Sequence, residues 1–408
     1  MVLMYLFTKP VILVRSAELV HRIMITDFSS FNGRGMYTNE QHDPMTVNIL
    51  TLDGPKWRSL RTKLSPAFSS GQLKQMLGTI DNVAQKFMDY LGTELKDGKA
   101  HRLNIKNLTT TYAVDAIGSV IFGLDIDSFT NPRNEFRILT EQIFNEGNIL
   151  QKLYMMMYFV YQPIMRILSF LGIKDPVTYG LRDIIKRTIE HREMNNVVRK
   201  DVLQIMMEMR DSLSLDMIAS NAFIFYLAGS ESTASSIAFT IYEMAMHSDI
   251  YRRAQNEVDE TLRKFNLKPQ DCLTYEALKT LRKYPILPYF IRKCNKDYVV
   301  PDTDFTIDKD TTVILPIMAI HRDAEYFPQP MEYKPERYDT SHLDYEPMAY
   351  MPFGEGPRLC IGQRLGLFNV KMALVKLLAN FHIEPLPRKE VEYKFHFMEL
   401  LFSIKKRV

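Results

Sequence analysis

Ten residues near the C-terminus constrain this chain more than any other stretch of its sequence. From Phe353 to Gly362 the chain reads Phe-Gly-Glu-Gly-Pro-Arg-Leu-Cys-Ile-Gly, and it then enters a helix predicted over Gln363–Phe381. The glycines allow a tight loop around Cys360, and the free N–H groups at the start of the helix point back toward its sulfur. Because N–H donors and a positive dipole end lower the pKa of a thiol, this pattern predicts a Cys360 thiolate.

Two interpretations of Cys360 are open at this point. Free cysteines are usually small buried hydrophobic residues, and a cysteine in a turn before a helix fits that description. However, five fixed positions in ten arise by chance in about one of several thousand chains of this length. A thiolate on haem iron favours O–O cleavage, and Arg358, two residues away, is placed to pair with a haem propionate. We therefore favour Cys360 as a ligand of haem iron.

Charge and cysteine usage narrow the class of protein. The 408 residues include 51 basic and 48 acidic side chains, so the net charge of +3 excludes a strongly basic nucleic-acid arm. The hydrophobic share of 46% is typical of a globular protein. Cys272, Cys294 and Cys360 are too few for a disulfide framework and are not spaced as zinc ligands. This usage indicates a reducing compartment and chemistry that depends on one thiolate.

Apolar residues recur with helical spacing along most of the chain, which predicts a mainly α fold in a single domain. A helix is expected after the N-cap Ser16, and the others are predicted at Trp57–Leu64, Gln72–Leu95, Thr110–Phe122, Asn134–Tyr154, Val177–Glu193, Met217–His247, Tyr251–Lys264 and Gln363–Phe381. Short strands are predicted at Pro10–Val14, Tyr298–Val300, Thr303–Ile307 and Thr311–Leu315.

No segment is predicted to span a membrane. The longest uncharged run, Met217–Ser230, falls short of the roughly 18 residues that a crossing needs. Met1–Val14 is apolar, but it lacks a basic start and a small-residue cleavage site, so we interpret it as a buried strand.

A second motif, Ala228-Gly-Ser-Glu-Ser-Thr233, lies on the long central helix. Gly229 would leave a shallow groove for a diatomic ligand, and Glu231 and Ser232 would supply an acid and a hydroxyl that relay protons to it. The alternative is a packing notch of small residues with a capping Ser/Thr cluster. Beside the cysteine loop, the relay is the favoured interpretation, because two independent motifs agree.

These motifs resemble those of the cytochrome P-450 superfamily of haem-thiolate monooxygenases, whose cysteine signature is Phe-x-x-Gly-x-Arg-x-Cys-x-Gly. The resemblance extends over essentially the whole chain. Phe31–Tyr37, Leu52–Arg58 and Ser65–Gly71 are similar to stretches of the insect microsomal detoxification group. The fold implied is a single haem-thiolate monooxygenase domain over residues 1–408, mainly α with small β-sheets.

The resemblance also implies roles for individual residues. Cys360 would be the axial ligand of haem b (iron protoporphyrin IX) and Glu231 and Ser232 the catalytic pair, although the family usually has threonine where Ser232 stands. The expected haem contacts are Arg358, Trp57, Arg61, Arg292, His321, Phe353, Gly356 and Gly362. The expected substrate contacts are Leu227, Ala228, Ile286 and Leu287.

Partners and location follow from the same resemblance. An NADPH-dependent flavoprotein reductase would supply electrons for the insertion of one atom of O2 into a hydrophobic small molecule, with no nucleic acid involved. Arg364 and Lys371 are candidate reductase contacts, with solvated helix charges as the alternative. Relatives of this group sit on the cytosolic face of the endoplasmic reticulum membrane. Tyr154–Phe170 is a candidate peripheral membrane contact, with an ordinary core helix as the alternative.

The chain departs from the family in two places. The family carries a Glu-x-x-Arg helix whose Glu and Arg bind an arginine of a Pro-Glu-Arg-Phe-like segment. Here Arg282, Glu336 and Arg337 are present, but the glutamate is replaced by Lys279, and the chain looks about three helical turns shorter before Arg282. We therefore expect two buried guanidinium groups without their shared carboxylate, which costs on the order of 3–5 kcal/mol. The usual N-terminal anchor and first helix are also absent.

Three functions are weighed. The first is the haem monooxygenase described above. The second is a non-catalytic relic that binds haem or a hydrophobic molecule and has lost oxygen chemistry with its glutamate. The third is a haem-thiolate isomerase that needs no external electrons, against which the intact Glu231–Ser232 pair argues.

Overall fold

The computed structural model describes residues 1–6, 9–144, 162–265, 280–338, 343–385 and 401–407. Its helices are Ala17–Met24 (α1), Gly54–Leu64 (α2), Ser70–Glu94 (α3), Ile105–Phe122 (α4), Glu135–Phe144 (α5), Gln162–Phe170 (α6), Pro176–Met194 (α7), Val202–Met207 (α8), Leu215–Met246 (α9), Ser248–Phe265 (α10), Thr280–Lys283 (α11), Ile317–His321 (α12) and Gln363–Asn380 (α13). Its strands are Val2–Leu6 (β1), Lys9–Leu13 (β2), His101–Asn104 (β3), Phe290–Lys293 (β4), Tyr298–Val299 (β5), Thr306–Ile307 (β6), Thr312–Leu315 (β7), Phe381–Pro385 (β8) and Leu401–Lys406 (β9).

Two helices that are apolar on nearly all sides, α4 and α9, pack against each other at the centre of the larger core. Both have clear sequence limits. The Ser214 hydroxyl accepts a hydrogen bond from the Met217 N–H at the start of α9, and Gly123, with φ of 59°, ends α4 in the left-handed conformation. A helix that is hydrophobic all round belongs in a core, which explains why α9 is buried along most of its 32 residues.

Within the described residues, the strands form three small sheets, one of which packs on the larger core through Phe381, Ile383, Phe402 and Ile404. The largest has the strand order β1-β2-β7-β4, with β2 and β7 parallel, and the others have the orders β3-β9-β8 and β5-β6. The prediction that the N-terminus is a buried strand is wrong for β1, since all five of its residues are exposed. The reason is that β1 is the edge strand, whereas the Val11 and Ile12 side chains of β2 are buried.

Most of the predicted helices and strands are confirmed within two to five residues at each end, and the mainly α class with small sheets is confirmed. The predicted helix at 134–154 is confirmed as α5 up to residue 144, and the rest of it lies outside the described residues. Helix α6 lies in the 154–170 segment, for which a core helix was the alternative, and the short helices α8, α11 and α12 were not predicted, because none shows a clear period. Within the described ranges, no helix is both long and apolar enough to cross a membrane.

The cysteine loop joins two hydrophobic cores. Helix α13, which follows the loop, packs on α3 and α9 in the larger core, whereas α1 and the β1-β2-β7-β4 sheet belong to the smaller one. A Cβ atom added to Gly356, whose φ is 66°, would stand 2.1 Å from the Met24 carbonyl oxygen at the end of α1. Only glycine therefore allows the loop to approach α1 so closely.

Candidate active site

The loop before Cys360 folds back on itself as the sequence predicts. The Cys360 N–H donates to the Phe353 carbonyl oxygen at 3.0 Å, and Gly354 and Gly356 both have positive φ. Gly362 then begins α13 as its N-cap residue. Phe353 and Gly356 thus shape the turn that presents Cys360, and a Cβ atom at Gly362 would meet no atom within 4 Å.

The Cys360 thiol is exposed to solvent on one side. The N–H groups of Gly362 and Gln363 donate to it, and Arg61 and Arg34 favour its ionised form. Burial of the surrounding site nevertheless outweighs these effects and raises the pKa of the thiol. The predicted donors are therefore present, but the predicted fall in pKa is wrong for the protein alone. A coordinated metal deprotonates such a thiol outright, so the site fits a metal ligand.

Four arginines gather beside Cys360: Arg34, Arg61, Arg292 and Arg358. We call them the cysteine-side arginines. The Arg358 guanidinium donates to the carbonyl oxygens of Asn32 at 2.8 Å and Leu52 at 2.7 Å. Its Nη2 also lies 3.2 Å from the Asp53 carboxylate, which accepts the backbone N–H of Arg34 at 2.7 Å as well. The half-buried Asp53 carboxylate thus lies close to several positive groups.

The cysteine-side arginines carry more positive charge than the protein around them balances. Burial and the repulsion between neighbouring guanidinium groups lower the pKa of Arg34 to about 10, of Arg292 to about 9 and of Arg358 to about 8. Arg292 Nε and Arg358 Nη1 are buried and have no hydrogen-bond partner among the described residues. A buried donor without a partner is costly, so these groups fit an anionic ligand such as the two propionates of haem.

Trp57 and Arg61, four residues apart on α2, reach the site in different ways. Arg61 Nη2 donates to the Leu359 carbonyl oxygen at 2.9 Å, directly before Cys360. The buried Trp57 ring lies 4.2 Å from the Arg358 guanidinium, measured to the ring centroid, and so forms a cation–π contact. Trp57 therefore orients Arg358, and its own contact with a propionate stays a prediction.

Glu231 and Ser232, the acid and the hydroxyl of the central motif, bind different partners. Lys106 Nζ lies 2.5 Å from Glu231 Oε1, and the Ser235 hydroxyl donates to the same oxygen at 2.8 Å. The Ser232 hydroxyl donates to the Ala228 carbonyl oxygen at 2.6 Å, one turn earlier on α9. The two side chains do not bond to each other, and Glu231 is held as half of an ion pair.

Gly229 serves helix packing. A Cβ atom added there would lie 3.1 Å from the Ile117 side chain of α4. The groove predicted for a diatomic ligand is therefore filled by Ile117, and the packing-notch alternative is correct for this residue. Next to it, Ala228 is exposed in a helix that is otherwise largely buried, and Leu227 is half-buried. An opening thus exists along this face of α9, where the predicted substrate contacts begin.

The predicted contacts Ile286 and Leu287 lie in the turn that follows α11. Ile286 is half-buried and Leu287 is 55% exposed. Helix α11 packs on the C-terminal part of α9, where Thr240 Oγ1 lies 3.2 Å from Thr280 Oγ1. Their contact with a substrate stays a prediction.

The second group of buried arginines is Arg282 with Arg337, which we call the Arg282–Arg337 pair. Both are nearly inaccessible, and burial together with repulsion from Arg337 lowers the pKa of Arg282. Arg282 contacts no carboxylate within the described ranges; its Nη1 donates to the His321 carbonyl oxygen at 2.7 Å. Arg337 Nη2 donates to the Gln329 carbonyl oxygen at 3.3 Å, and its one carboxylate neighbour within the described ranges is the half-exposed Asp344, at 3.4 Å. The Arg337 Nε has no partner among these residues.

Two predictions for this region are corrected. His321 was expected at a haem propionate, but it is fully buried near Arg282, and its Nε2 accepts the Met351 N–H at 3.1 Å. Burial lowers the pKa of His321 to about 3, so the ring is neutral. Glu336 was expected in the structural group around Arg282, but it is exposed and pairs with Arg253. Lys279 lies outside the described residues.

Sequence reasoning missed Arg34, Asp53 and Lys106 as site residues. Arg34 lies on an irregular loop 19 residues before its partner Asp53, and Lys106 is 125 residues from Glu231. No helical or strand period connects such positions. The only signal was an excess of buried positive charge, which is a property of the folded chain.

A cytochrome P450 family profile matches residues 1–408. With this match and the site geometry above, the chain belongs to the cytochrome P450 family and is a haem-thiolate monooxygenase. It is 51% identical to cytochrome P450 6d1 and to cytochrome P450 6d3 of Musca domestica, in each case over 98% of this chain and 84% of the relative. It is 45% identical to the probable cytochrome P450 6d2 of Drosophila melanogaster, with the same coverage.

The aligned lengths show how this chain differs in size from its relative. The alignment with cytochrome P450 6d1 extends over 436 positions. Since 98% of 408 residues is about 400, about 36 of these positions have no counterpart in this chain. The chain is thus shorter than that relative within the aligned region, by more than the three helical turns, about 11 residues, that are predicted to be missing before Arg282.

Proposed function

We propose that this protein inserts one atom of O2 into a hydrophobic small molecule, with haem b at Cys360 and electrons from an NADPH-dependent flavoprotein reductase. The observation that carries the proposal is the meeting of the accessible Cys360 thiol with the cysteine-side arginines, two of which keep buried donors unpaired. A thiol beside excess guanidinium charge suits a cofactor that has a metal at its centre and two carboxylates at its edge.

Different residues of the chain bind the haem carboxylates and present Cys360. When bound, haem supplies the oxygen chemistry, which a thiolate ligand promotes. Arg34, Arg61, Arg292 and Arg358 hold its carboxylates, and Trp57 keeps the Arg358 guanidinium in place. Phe353, Gly354 and Gly356 fold the loop that presents Cys360, and the N–H groups of Gly362 and Gln363 stabilise the thiolate.

Protons reach the site through Ser232 and Glu231. The Ser232 hydroxyl stands at the opening beside Ala228, where it donates to a carbonyl oxygen and is able to rotate toward a bound ligand. Glu231, paired with Lys106, lies one residue along the helix and exchanges protons with water. Leu227, Ala228, Ile286 and Leu287 supply an apolar surface, which selects a substrate by shape more than by hydrogen bonds.

A reductase would dock on the side of the molecule where the cysteine loop enters α13. Arg364 fits this role better than Lys371, because Arg364 is exposed and, among the described residues, is bound only to the Ser70 hydroxyl, at 2.8 Å. Burial lowers the pKa of Lys371, which is half-buried. Complementary charge at such a surface sets the rate of encounter.

The proposed location is the cytosolic face of the endoplasmic reticulum membrane. The described part of the candidate contact 154–170 ends in exposed apolar side chains: Ile167 is 58% exposed and Phe170 is 72% exposed. The next turn adds Leu171 and Ile173, which are also exposed. A cluster of this kind suits a shallow membrane contact.

The test is the spectrum of the reduced protein under carbon monoxide. The recombinant chain should take up haem and absorb at the long-wavelength Soret position of thiolate-ligated haem. Cys360→Ser should lose this absorption, whereas Cys294→Ser, which alters a buried thiol bonded to the Lys296 carbonyl oxygen, should keep it. A thiolate spectrum in the Cys360→Ser protein would contradict the assignment.

The second candidate is the haem- or hydrophobe-binding relic, which is favoured by the lack of a carboxylate partner for Arg282 among the described residues. The two functions differ in turnover. NADPH consumption with formation of an oxidised product, after a reductase is added, supports the enzyme. Haem uptake without turnover, or no haem uptake, supports the relic.

A further inference from the structure

Glu243 is a buried carboxylate that the proposed reaction does not use. It lies on α9, 11 residues or about 16 Å beyond Ser232, and it is 1% exposed. A carboxylate is almost never fully buried without partners that offset its lost hydration. Its partners therefore indicate what it does.

Those partners are two consecutive residues at the end of α11. Lys283 Nζ lies 2.7 Å from Glu243 Oε1, and the Tyr284 hydroxyl donates to the same oxygen. His247, one turn further along α9, lies at 3.7 Å from Oε2. The Glu243 carboxylate thus binds Lys283, the last residue of α11, and Tyr284, the first residue after it.

Neighbouring contacts fix the same two residues. The Tyr284 ring is stacked on the Phe239 ring of α9, with centroids 4.5 Å apart and an angle of 5° between the planes. The Arg322 guanidinium donates to the Lys283 carbonyl oxygen at 3.0 and 2.6 Å. Tyr284 is thereby held by its ring and by its hydroxyl, and Lys283 by its backbone and by its ammonium group.

Four residues of helix α11 are described, and most of the stability of a helix in a protein comes from tertiary contacts such as these. Pro285 follows directly and limits the backbone of Tyr284 before it. Ile286 and Leu287 come two and three residues after Tyr284, so the place of Tyr284 determines where their turn begins.

We propose that Glu243 is a positioning residue: through Lys283 and Tyr284 it sets the place of the Ile286–Leu287 turn, and thereby the affinity of the site for apolar ligands. The inference rests on the proposed function, which assigns that turn to the substrate. Glu243 itself touches neither haem nor substrate in this account.

Two nitrogen ligands of haem iron distinguish an effect on the apolar pocket from an effect on the metal. 4-Phenylimidazole presents an apolar ring to the pocket, whereas imidazole lacks that ring. In Glu243→Gln, which can still accept from Tyr284 but cannot neutralise Lys283, we expect the Kd of 4-phenylimidazole to rise about three- to tenfold. The Kd of imidazole and the thiolate spectrum should stay the same.

Three variants control for general damage. Glu135→Gln, which breaks the exposed pair with Arg187, should leave both affinities unchanged. Glu243→Asp keeps the charge and should recover part of the lost affinity. Glu243→Gln combined with Lys283→Met removes the buried unpaired ammonium and should also recover part of it. An equal loss for both ligands, or no change for either, would overturn the proposal.

A measurement that needs no haem keeps this test separate from the proposed function. In the haem-free chain, amide hydrogen exchange in residues 284–289 should be faster in Glu243→Gln than in Glu135→Gln. Equal exchange rates would show that Glu243 does not position the turn, whatever the chain does with haem. Faster exchange together with failure to bind haem would support the positioning and overturn the monooxygenase.

Discussion

The molecule has two groups of buried arginines, the cysteine-side arginines and the Arg282–Arg337 pair. In each group, at least one buried guanidinium nitrogen has no hydrogen-bond partner among the described residues. Around Cys360, Asp53 lies among several guanidinium groups and accepts from one of them. In the Arg282–Arg337 pair, the only carboxylate in reach among the described residues is Asp344, which is half-exposed and 3.4 Å from Arg337. Both groups carry more positive charge than the surrounding protein balances.

The difference lies in what would supply the missing negative charge. The cysteine-side arginines surround an accessible thiol, so a bound cofactor with two carboxylates completes them. Among the described residues, no accessible thiol faces the Arg282–Arg337 pair, whose counterpart in the family is completed by a glutamate of the chain itself. Unpaired buried arginines thus have two origins, a ligand site or a lost residue, and the groups beside them distinguish the two.

The largest expected effect comes from giving Arg282 a carboxylate. Lys279→Glu restores the Glu-x-x-Arg spacing in the sequence, and it should raise the free energy of unfolding by about 3 kcal/mol, because an unpaired buried charge regains its partner. Haem occupancy should rise with it. Urea unfolding and the ratio of Soret to protein absorbance measure the two effects. Lys279→Gln removes the positive charge alone, and an equal gain in that variant would contradict the missing-carboxylate explanation.

A smaller effect is expected from Arg358→Met in the first group. Loss of charged hydrogen bonds to a propionate should weaken haem retention about tenfold, since such bonds contribute about 1.5–3 kcal/mol. The haem-free protein should also lose some stability, because the Asn32 and Leu52 carbonyl oxygens lose their donor, so haem retention is measured under conditions in which both variants are fully folded. Transfer of haem to apomyoglobin measures retention. The exposed Arg364→Met is the control, and equal retention in both variants would contradict the propionate role.

Next to Arg282, the protein should also be sensitive to acid through the buried His321. Its pKa is lowered to about 3 in the folded state, against an ordinary value of about 6.5. The unfolded state then binds more protons between these values, so the free energy of unfolding should fall as the pH falls below 6.5, by at most about 1.4 kcal/mol per pH unit.

Urea unfolding of the wild-type chain and of His321→Gln between pH 7 and pH 4.5 checks this expectation. Glutamine keeps an acceptor for the Met351 N–H but does not titrate in this range. The slope with pH should therefore be smaller in the variant. Identical slopes would show that His321 is not the acid-sensitive group.

The smallest effect is expected at Glu336, the acidic neighbour of Arg337. Because Glu336 pairs with Arg253 on the surface, Glu336→Gln should change the free energy of unfolding by no more than about 0.5 kcal/mol. A loss above 2 kcal/mol would place Glu336 in the buried group after all. Arg253→Gln serves as the matched variant from the other side of the pair.

The parts of the site that sequence predicts well are those whose members are close in the chain. The cysteine loop is contiguous, and Trp57 and Arg61 share a helix face through their spacing of four. Long helices such as α3 and α9 show many apolar repeats, so their limits were predicted within two residues.

What the sequence could not predict depends on distant partners. The apolar pattern of Val2–Leu6 indicates a strand, but only the strand order makes it an exposed edge. Likewise, Gly229 looks like a ligand groove until Ile117 of another helix is placed against it. Nearby N–H donors lower the pKa of the Cys360 thiol, and burial by the surrounding protein raises it. Only the donors could be recognised in the sequence.

The approach of Gly356 to the end of α1 has a consequence for the making of this protein. Arg358 bonds to Asn32, 326 residues earlier, so the arginines near the N-terminus leave the ribosome long before the cysteine loop exists. At about 5–20 residues per second, that delay is about 16 to 65 seconds. During this delay the early arginines must stay hydrated, and only a polypeptide translated past the cysteine loop has a place to receive its cofactor.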